Sequence, residues 1–356
     1  MAHLQWFPPK HWAAFLCGSD KTGWTAGQVI ERTLMSKETY TVVSTMKNEG
    51  PYIIDWVAHY KTLGFDHILV CTNDCTDPTV DILLRLQELG LVTQHNTIVR
   101  GGGIHRSALR QASRRYDIVM DAKWVFVCDV DEYLNIHMGD GSARALVEGS
   151  GADADVISVP WRVFGPDGVD GFTDLPVTRQ FTMGELPWDE ELRPDTGKFV
   201  KSIYTNQHKF QRMGLHAPVS LKECIPDTKR VLPGGALYVV DEKRTEHPPI
   251  FTHAQVNHYA LRSMESFLIK RARGRANHSH HVLGLDYWSR FNLNDEKDTS
   301  IERYAAESHK LAGELKADPK LADLHAQAVE WHRRKAASLK MDPEMDELVN
   351  GLRAAL

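Results

Sequence analysis

Between residues 40 and 128 the chain repeats one unit: a short apolar run, a polar loop, then an amphipathic segment of helical period. Runs at 40–45, 67–71, 91–95 and 124–128 read as strands. The segment opened by Pro51, with Ile53, Ile54, Val57, Tyr60 and Leu63 at helical spacing, and those at 80–89 and 104–116 read as helices. Pro51 suits a first helical turn, and Gly64 stands where a left-handed residue closes a helix. Strand–helix alternation at this rhythm leaves few solutions, and the expected class is α/β, a mostly parallel, Rossmann-like sheet flanked by helices. Such sheets bind ligands beyond the carboxyl ends of their strands. That rule singles out loops 45–50, 72–78 and 129–133, all polar.

The remaining chain reads differently. Residues 1–39 scatter Trp6, Phe7, Trp12, Phe15 and Trp24 among Pro and Gly, as an N-terminal arm would. Downstream, short apolar runs at 156–159, 199–204, 236–240 and 250–251 suggest antiparallel or mixed pairing, followed by a helix over 262–273. Residues 301–356 read as two helices broken near Asp342-Pro343, available for dimerisation, acceptor binding or packing. The expected organisation is an arm (1–39), a main domain (40–300, split into a nucleotide half, 40–135, and an acceptor half, 136–300) and a C-terminal helical extension (301–356).

Composition narrows the function classes. A net charge of -5 over 356 residues argues against a nucleic-acid partner, which needs a basic face. One local basic run, Lys270, Arg271, Arg273 and Arg275, could meet phosphate or a membrane surface, or be a solvated helix face. The five cysteines (Cys17, Cys71, Cys75, Cys128 and Cys224) form no metal pattern and suit a reducing compartment without structural disulfides. No run reaches the ~18 apolar residues of a membrane span, so a cytoplasmic protein with at most peripheral membrane contact is expected.

The chemistry gathers at the end of the run 124–128. Asp129 and Asp131 follow it directly, and along extended chain both point one way while Val130 points to the core. Two carboxylates side by side repel unless a cation lies near them. Oxygen ligands of this kind suit magnesium or manganese, shared with substrate phosphates. Asn73 and Asp74 close the second strand, where they could meet a base or a ribose, while Asp77 reads as a helix cap. Lys47, Asn48 and Glu49 lie on the same edge. His105, Arg106 and Arg110 put positive charge at a helix start, against the dipole, as a phosphate contact would require. His216, His253 and His258 are further possible ligands or packed histidines.

Several of these segments together resemble the family 2-like glycosyltransferases, and are most similar to a bacterial branch related to family 92 galactosyltransferases. They are Met46-Lys47-Asn48-Glu49, Gly64-Phe65-Asp66-His67, Asn73-Asp74-Cys75-Thr76-Asp77, Phe126 through Tyr133, Trp161 through Gly165, Lys209 with His216-Ala217-Pro218, and His258-Tyr259 with Ser266-Phe267 and Lys270 through Gly274. The resemblance spans about residues 40–300. It implies a GT-A fold, a nucleotide-sugar donor (a UDP-sugar), Mn2+ or Mg2+, inversion at the anomeric carbon, and a glycan, glycolipid or other hydroxyl acceptor. It assigns Asp74 to the base, Glu49 to the nucleoside, Asp131 to the metal, Asp129 and Val130 to the ribose and metal edge, and His258 to the metal or diphosphate. Trp161, Arg162 and His216 fall on the acceptor side. The acidic pair that supplies the base in family 2 enzymes has no clear match, and Asp174, Glu185 and Asp189-Glu190 are the candidates. A sugar nucleotidyltransferase, or a non-catalytic nucleotide- or sugar-binding protein, stands as the alternative.

Overall fold

The computed structural model describes residues 38–151, 153–186, 199–205, 207–237, 251–274 and 283–356. The arm, apart from its last two residues, and Asp189-Glu190 lie outside this set, as do Cys17 and Arg275. Eight strands build the main sheet: β1 (Tyr40–Met46), β2 (His67–Thr72), β3 (Thr93–Asn96), β4 (Trp124–Val127), β5 (Glu132–Ile136), β6 (Val156–Val163), β7 (Val200–Tyr204) and β8 (Ala254–His258). Their order is β3-β2-β1-β4-β7-β6-β8-β5, with a two-residue ninth strand, Arg230–Val231, beside β6. Neighbours are parallel except where β7 and β5 run against the rest. This is the α/β, mostly parallel arrangement that the alternation implied.

Helices α1 (Ile53–Thr62), α2 (Thr79–Glu88), α3 (Ile104–Arg115) and α4 (Ala143–Ser150) flank the sheet. Buried Ile53, Ile54, Trp56, Val57 and Tyr60 give α1 its core face. Its end is set by Gly64 at φ +85°, where the N–H groups of Gly64 and Phe65 return to the carbonyls of Lys61 and Tyr60. A side chain would strain that conformation. The third strand starts at Thr93, later than the apolar run at 91–95 suggests, because Leu91 N–H closes α2 through Leu86 O.

Past the sheet come α5 (Met264–Arg273), α6 (Leu285–Phe291), α7 (Ala305–Lys316), α8 (Pro319–Lys340) and α9 (Asp346–Ala354). The C-terminal extension therefore contains a further break at Asp318-Pro319, where the Asp318 carboxylate caps Leu321 N–H (2.9 Å) and Pro319 opens the new helix. The break at Asp342 is present as read. Helix α8 packs on α5 and on the loop after β1. A Cβ placed on Gly50 would lie 2.6 Å from Ala328 Cβ, so the glycine lets the extension seat directly behind loop 45–50.

Candidate active site

Strand β4 is buried throughout and ends at Cys128, whose N–H bonds Val43 O across to β1. The chain then turns: Glu132 N–H returns to Asp129 O (3.1 Å) and β5 begins. Val130 is buried in the core, as the alternation requires, while the carboxylates of Asp129 and Asp131 emerge at the sheet's ligand edge. Asp131 O also accepts Tyr259 N–H (2.8 Å), which ties this turn to the exit of β8.

Each carboxylate carries its own lysine. Lys201, on β7, places Nζ 3.0 Å from Asp129 Oδ2 and 3.0 Å from Glu132 Oε2. Lys270, on α5, places Nζ 2.6 Å from Asp131 Oδ2 and donates to Ala260 O (2.7 Å). Burial works against ionisation of Asp131, but Lys270, His258 and Arg262 override it and hold the group well below the usual carboxylate range. Burial likewise opposes ionisation of Asp129, and Lys201 with His105 keeps it low. Glu132 differs: burial pushes it up to about 8 despite Lys201, so it is mostly protonated at neutral pH.

A second cationic layer lies behind Asp131. Glu49 accepts from Arg262 Nη1 (2.9 Å) and from Arg273. Arg262 also reaches Val130 O (3.2 Å) and covers the Tyr52 ring at 3.6 Å. Its backbone has φ +57°, a left-handed conformation uncommon for a side-chain-bearing residue and typical of sites held by their surroundings. The expected helix over 262–273 consequently starts at Met264, capped by Ser263. A small cavity of about 10 Å³ lies among Asn48, Glu49, Asp131, Arg262, Lys270 and Arg273. Three cations (Lys270, Arg262 and Arg273) line this space against two carboxylates (Asp131 and Glu49), a surplus of one formal positive charge.

The nucleotide-edge loops are cross-braced. Asn48, at φ +54°, uses its amide on both Thr76 N–H (2.7 Å) and Thr76 Oγ1 (3.1 Å). Asp77 receives Gly50 N–H (2.9 Å) and Thr79 N–H (3.1 Å), the helix-start role expected of it. Asn73 is buried and its Oδ1 has no partner among the described residues, whereas Asp74, at φ +45°, is exposed. Lys47 is half-buried, and its carbonyl accepts from Arg273 (2.7 Å). The His105 ring bonds Thr45 Oγ1 (2.7 Å) at the end of β1, close enough to feel Asp129; Arg106 is exposed beside it.

On the other flank Trp161 is buried, its ring 4.2 Å from His258 and 5.2 Å from both His216 and Phe199. His216 Nδ1 lies 2.9 Å from Val200 O. Arg162, the next residue along β6, points to the opposite face and pairs with Asp298 (2.7 Å) and Glu296 (2.5 Å). These pairs tie β6 to the segment at 296–298. The carboxylates read as base candidates are committed elsewhere too. Asp174 meets His325 Nε2 of α8 at 3.0 Å, and Glu185, almost fully buried, accepts Val163 N–H (2.8 Å). Glu49 is withdrawn from any nucleoside by its two arginines. His253 stands at the far end of β8 from His258.

The residues present fit a divalent ion. Two ionised carboxylates flank Val130, and His258 Nε2 is 3.9 Å from Asp131 Oδ2. Burial pushes His258 down to about 3, so its ring is neutral, and its Nδ1 has no partner among the described residues. A neutral imidazole is a ligand. No cluster of three His, Cys, Asp or Glu side chains able to hold a metal occurs among the described residues. Phosphate oxygens and water would therefore complete the shell, as magnesium and manganese sites with phosphates commonly arrange. Lys270 occupies the Asp131 oxygen nearest His258, so it must yield there or the ion must use the other oxygen.

A wound sheet with paired aspartates at the end of a buried central strand is the GT-A type of glycosyltransferase. The chain belongs to glycosyltransferase family 92, whose sequence profile matches residues 40–282. It is therefore a transferase, and α6 to α9 lie beyond the matched region. Among solved structures, S. aureus TarS 1-349 aligns at 11% identity over 88% of this chain and 89% of that one, with a TM-score of 0.33. Glucosyl-3-phosphoglycerate synthase from Mycobacterium tuberculosis, in complex with Mn2+, uridine-diphosphate and glucosyl-3-phosphoglycerate, aligns at 17% over 63% and 79%, with a TM-score of 0.31. No curated protein matches significantly.

Sequence reasoning missed Lys201 and Arg262. Lys201 had a signal, a lone charge inside the apolar run at 199–204. Arg262 had none, since its pattern continues the helix that follows.

Proposed function

We propose that this transferase moves a sugar from a UDP-sugar to a hydroxyl of a glycan or glycolipid acceptor, with inversion, at the edge formed by Asp129, Asp131 and Lys270. The observation that carries the reading is Asp131: an ionised, nearly buried carboxylate at the end of β4, facing a cavity whose walls are lysine and arginine. A surplus positive charge in such a cavity favours a diphosphate. Asp131 and Asp129, with His258, would hold Mn2+ or Mg2+. When bound, that ion supplies charge against the departing diphosphate.

The chain's own residues would do the rest. Lys270 and Arg273 face the diphosphate and favour its charge as the bond to the anomeric carbon breaks. Asn73, with its unpartnered Oδ1, and exposed Asp74 are placed for the base and ribose. Trp161, packed on His258 and His216, would back the sugar side of the site. The acceptor oxygen attacks the anomeric carbon from the side opposite the diphosphate, its proton passes to solvent water, and UDP leaves with the electron pair of the broken bond. We assign the base to neither Asp174 nor Glu185. The four described cysteines carry free thiols, which supports a reducing, cytoplasmic setting.

The test is a donor screen by release of nucleoside diphosphate, with and without manganese. Metal-dependent UDP release from one UDP-sugar is the expected result. Release of GDP or CMP alone, or release indifferent to metal, would overturn it.

A further inference from the structure

Of the basic run flagged in the sequence, Lys270 and Arg273 turn inward to Asp131 and Glu49. The structure carries its unpaired positive charge elsewhere. Helix α3 contains no acidic residue, and Arg106, Arg110 and Arg114 recur on it at intervals of four, all exposed. At 3.6 residues per turn they fall within about 80° of arc and span roughly 12 Å. None of the three has an ion-pair partner among the described residues. The surface helix α8 is built in the usual way, with Glu330 opposite Arg334.

Within the chain only Arg114, in the last turn, gains from the helix dipole. Like charges four apart destabilise a helix, and Arg106 in the first turn opposes the dipole. Both costs fall when an anionic surface covers the stripe. Exposed Arg100, Arg115 and Lys123 extend it. Over residues 98–123 six Arg and Lys stand against Asp117 and Asp121, in a chain whose overall charge is -5.

Apolar side chains flank the stripe. Ile98 and Val99 are 53% and 47% exposed, and Met120 is 42% exposed. The loop that bears Ile98 is fixed to the helix: Gln111 exchanges hydrogen bonds with Ile98 N–H and Ile98 O, and Ser107 Oγ accepts Arg100 N–H (2.9 Å). Arginines with apolar residues held at their margin match an interfacial membrane surface, where charge meets headgroups and apolar tips enter the acyl boundary. A nucleic-acid groove has no use for the aliphatic margin, and no exposed aromatic ring accompanies the stripe for base stacking.

We infer that the solvent face of α3, with the loop at 98–100, docks the protein on an anionic lipid surface. The stripe starts one residue from His105, which bonds Thr45 at the ligand edge, so docking brings that edge to the bilayer. No helix among the described residues is long and apolar enough to cross a membrane.

The experiment is co-sedimentation of the full chain, without substrates, with phosphatidylcholine vesicles and with vesicles containing roughly a third phosphatidylglycerol. The wild-type chain should bind the anionic vesicles, ignore the neutral ones, and release as salt rises from about 0.05 to about 0.5 M. Arg114→Gln with Arg115→Gln should weaken binding on the order of tenfold, with donor hydrolysis unchanged. Ile98→Ser with Val99→Ser should weaken it less and leave the salt dependence intact. Equal binding by wild type and the arginine variant, indifference to phosphatidylglycerol, or arginine-dependent binding to duplex DNA without vesicle binding would each overturn the inference. Because no sugar donor is present, vesicle binding can fail while the transferase reading stands.

Discussion

Lys270 Nζ lies 2.6 Å from Asp131 Oδ2, and this contact joins helix α5 to the end of β4 at the point where the sheet meets its ligand. Both groups are largely buried, with 20% and 10% of their side-chain surface exposed. Replacing Lys270 by Met strands an ionised carboxylate. We expect a loss of about 3 kcal/mol in urea unfolding and at least a tenfold rise in KM for the donor. Unchanged stability together with unchanged KM would show that the pair is incidental.

Glu49 holds two arginines at once. Glu49→Gln leaves Arg262 and Arg273 short of a counter-charge in a buried setting and removes the reason for the left-handed conformation of Arg262. A loss of about 3 kcal/mol or more is expected, read by urea denaturation. A variant as stable as wild type would place the support of Arg262 elsewhere.

Gly50 and Ala328 bring the C-terminal extension against loop 45–50. Gly50→Ala should cost about 1–3 kcal/mol by overpacking, since its methyl would lie 2.6 Å from Ala328 Cβ and 2.9 Å from Asp77 Oδ2. Adding Ala328→Gly should recover part of that loss and so give a non-zero coupling in a double-mutant cycle. Strict additivity would mean that the helix does not press on the loop.

Acid should destabilise the fold well above the carboxylate range. Burial lowers His59 to about 4 and His258 and His332 to about 3. Between those values and the ordinary histidine pKa near 6.5 the unfolded chain binds more protons, so stability falls as pH falls. Glu132 acts in the opposite sense: raised to about 8, it holds a proton in the fold that the unfolded chain releases above about 4.5. From pH 6.5 to 4.5 the net is about two protons, or ~2–3 kcal/mol per pH unit. Stability should then decline gently from pH 6.5 to 8 as Glu132 loses its advantage. Urea titrations across this range check both slopes, and a flat profile below pH 6.5 would contradict neutral burial of the three histidines.

Much of this site was readable because it is local. Asp129 and Asp131 follow a fully apolar strand, which marks the place in the sequence, although the chain turns there instead of continuing extended, with Glu132 N–H returning to Asp129 O. The mostly parallel, helix-flanked sheet came from the rhythm of strands and helices. What escaped depends on distant contacts. Arg262 adopts its left-handed conformation beside Glu49 and Val130, far away in sequence, so no neighbouring residue announces it. The resemblance put Arg162 on the acceptor side and left Asp174 a base candidate, and nothing local shows that Asp298 and His325 pair with them from the far end of the chain. Loop 45–50 gave no hint that α8 would back it. Ala317-Asp318-Pro319 did contain a cap and a first-turn proline, but mixed charge on both sides blurred the helix boundary.

The most direct test of the central claim is calorimetric titration of UDP into wild type and Asp131→Asn, each with manganese and with chelator, with melting curves to establish folding. The account predicts manganese-dependent UDP binding by wild type and a loss on the order of a hundredfold in the folded variant, the cost of about 3 kcal/mol for one charge-bearing ligand. Equal affinity in the two proteins, or wild-type binding indifferent to chelator, would contradict it.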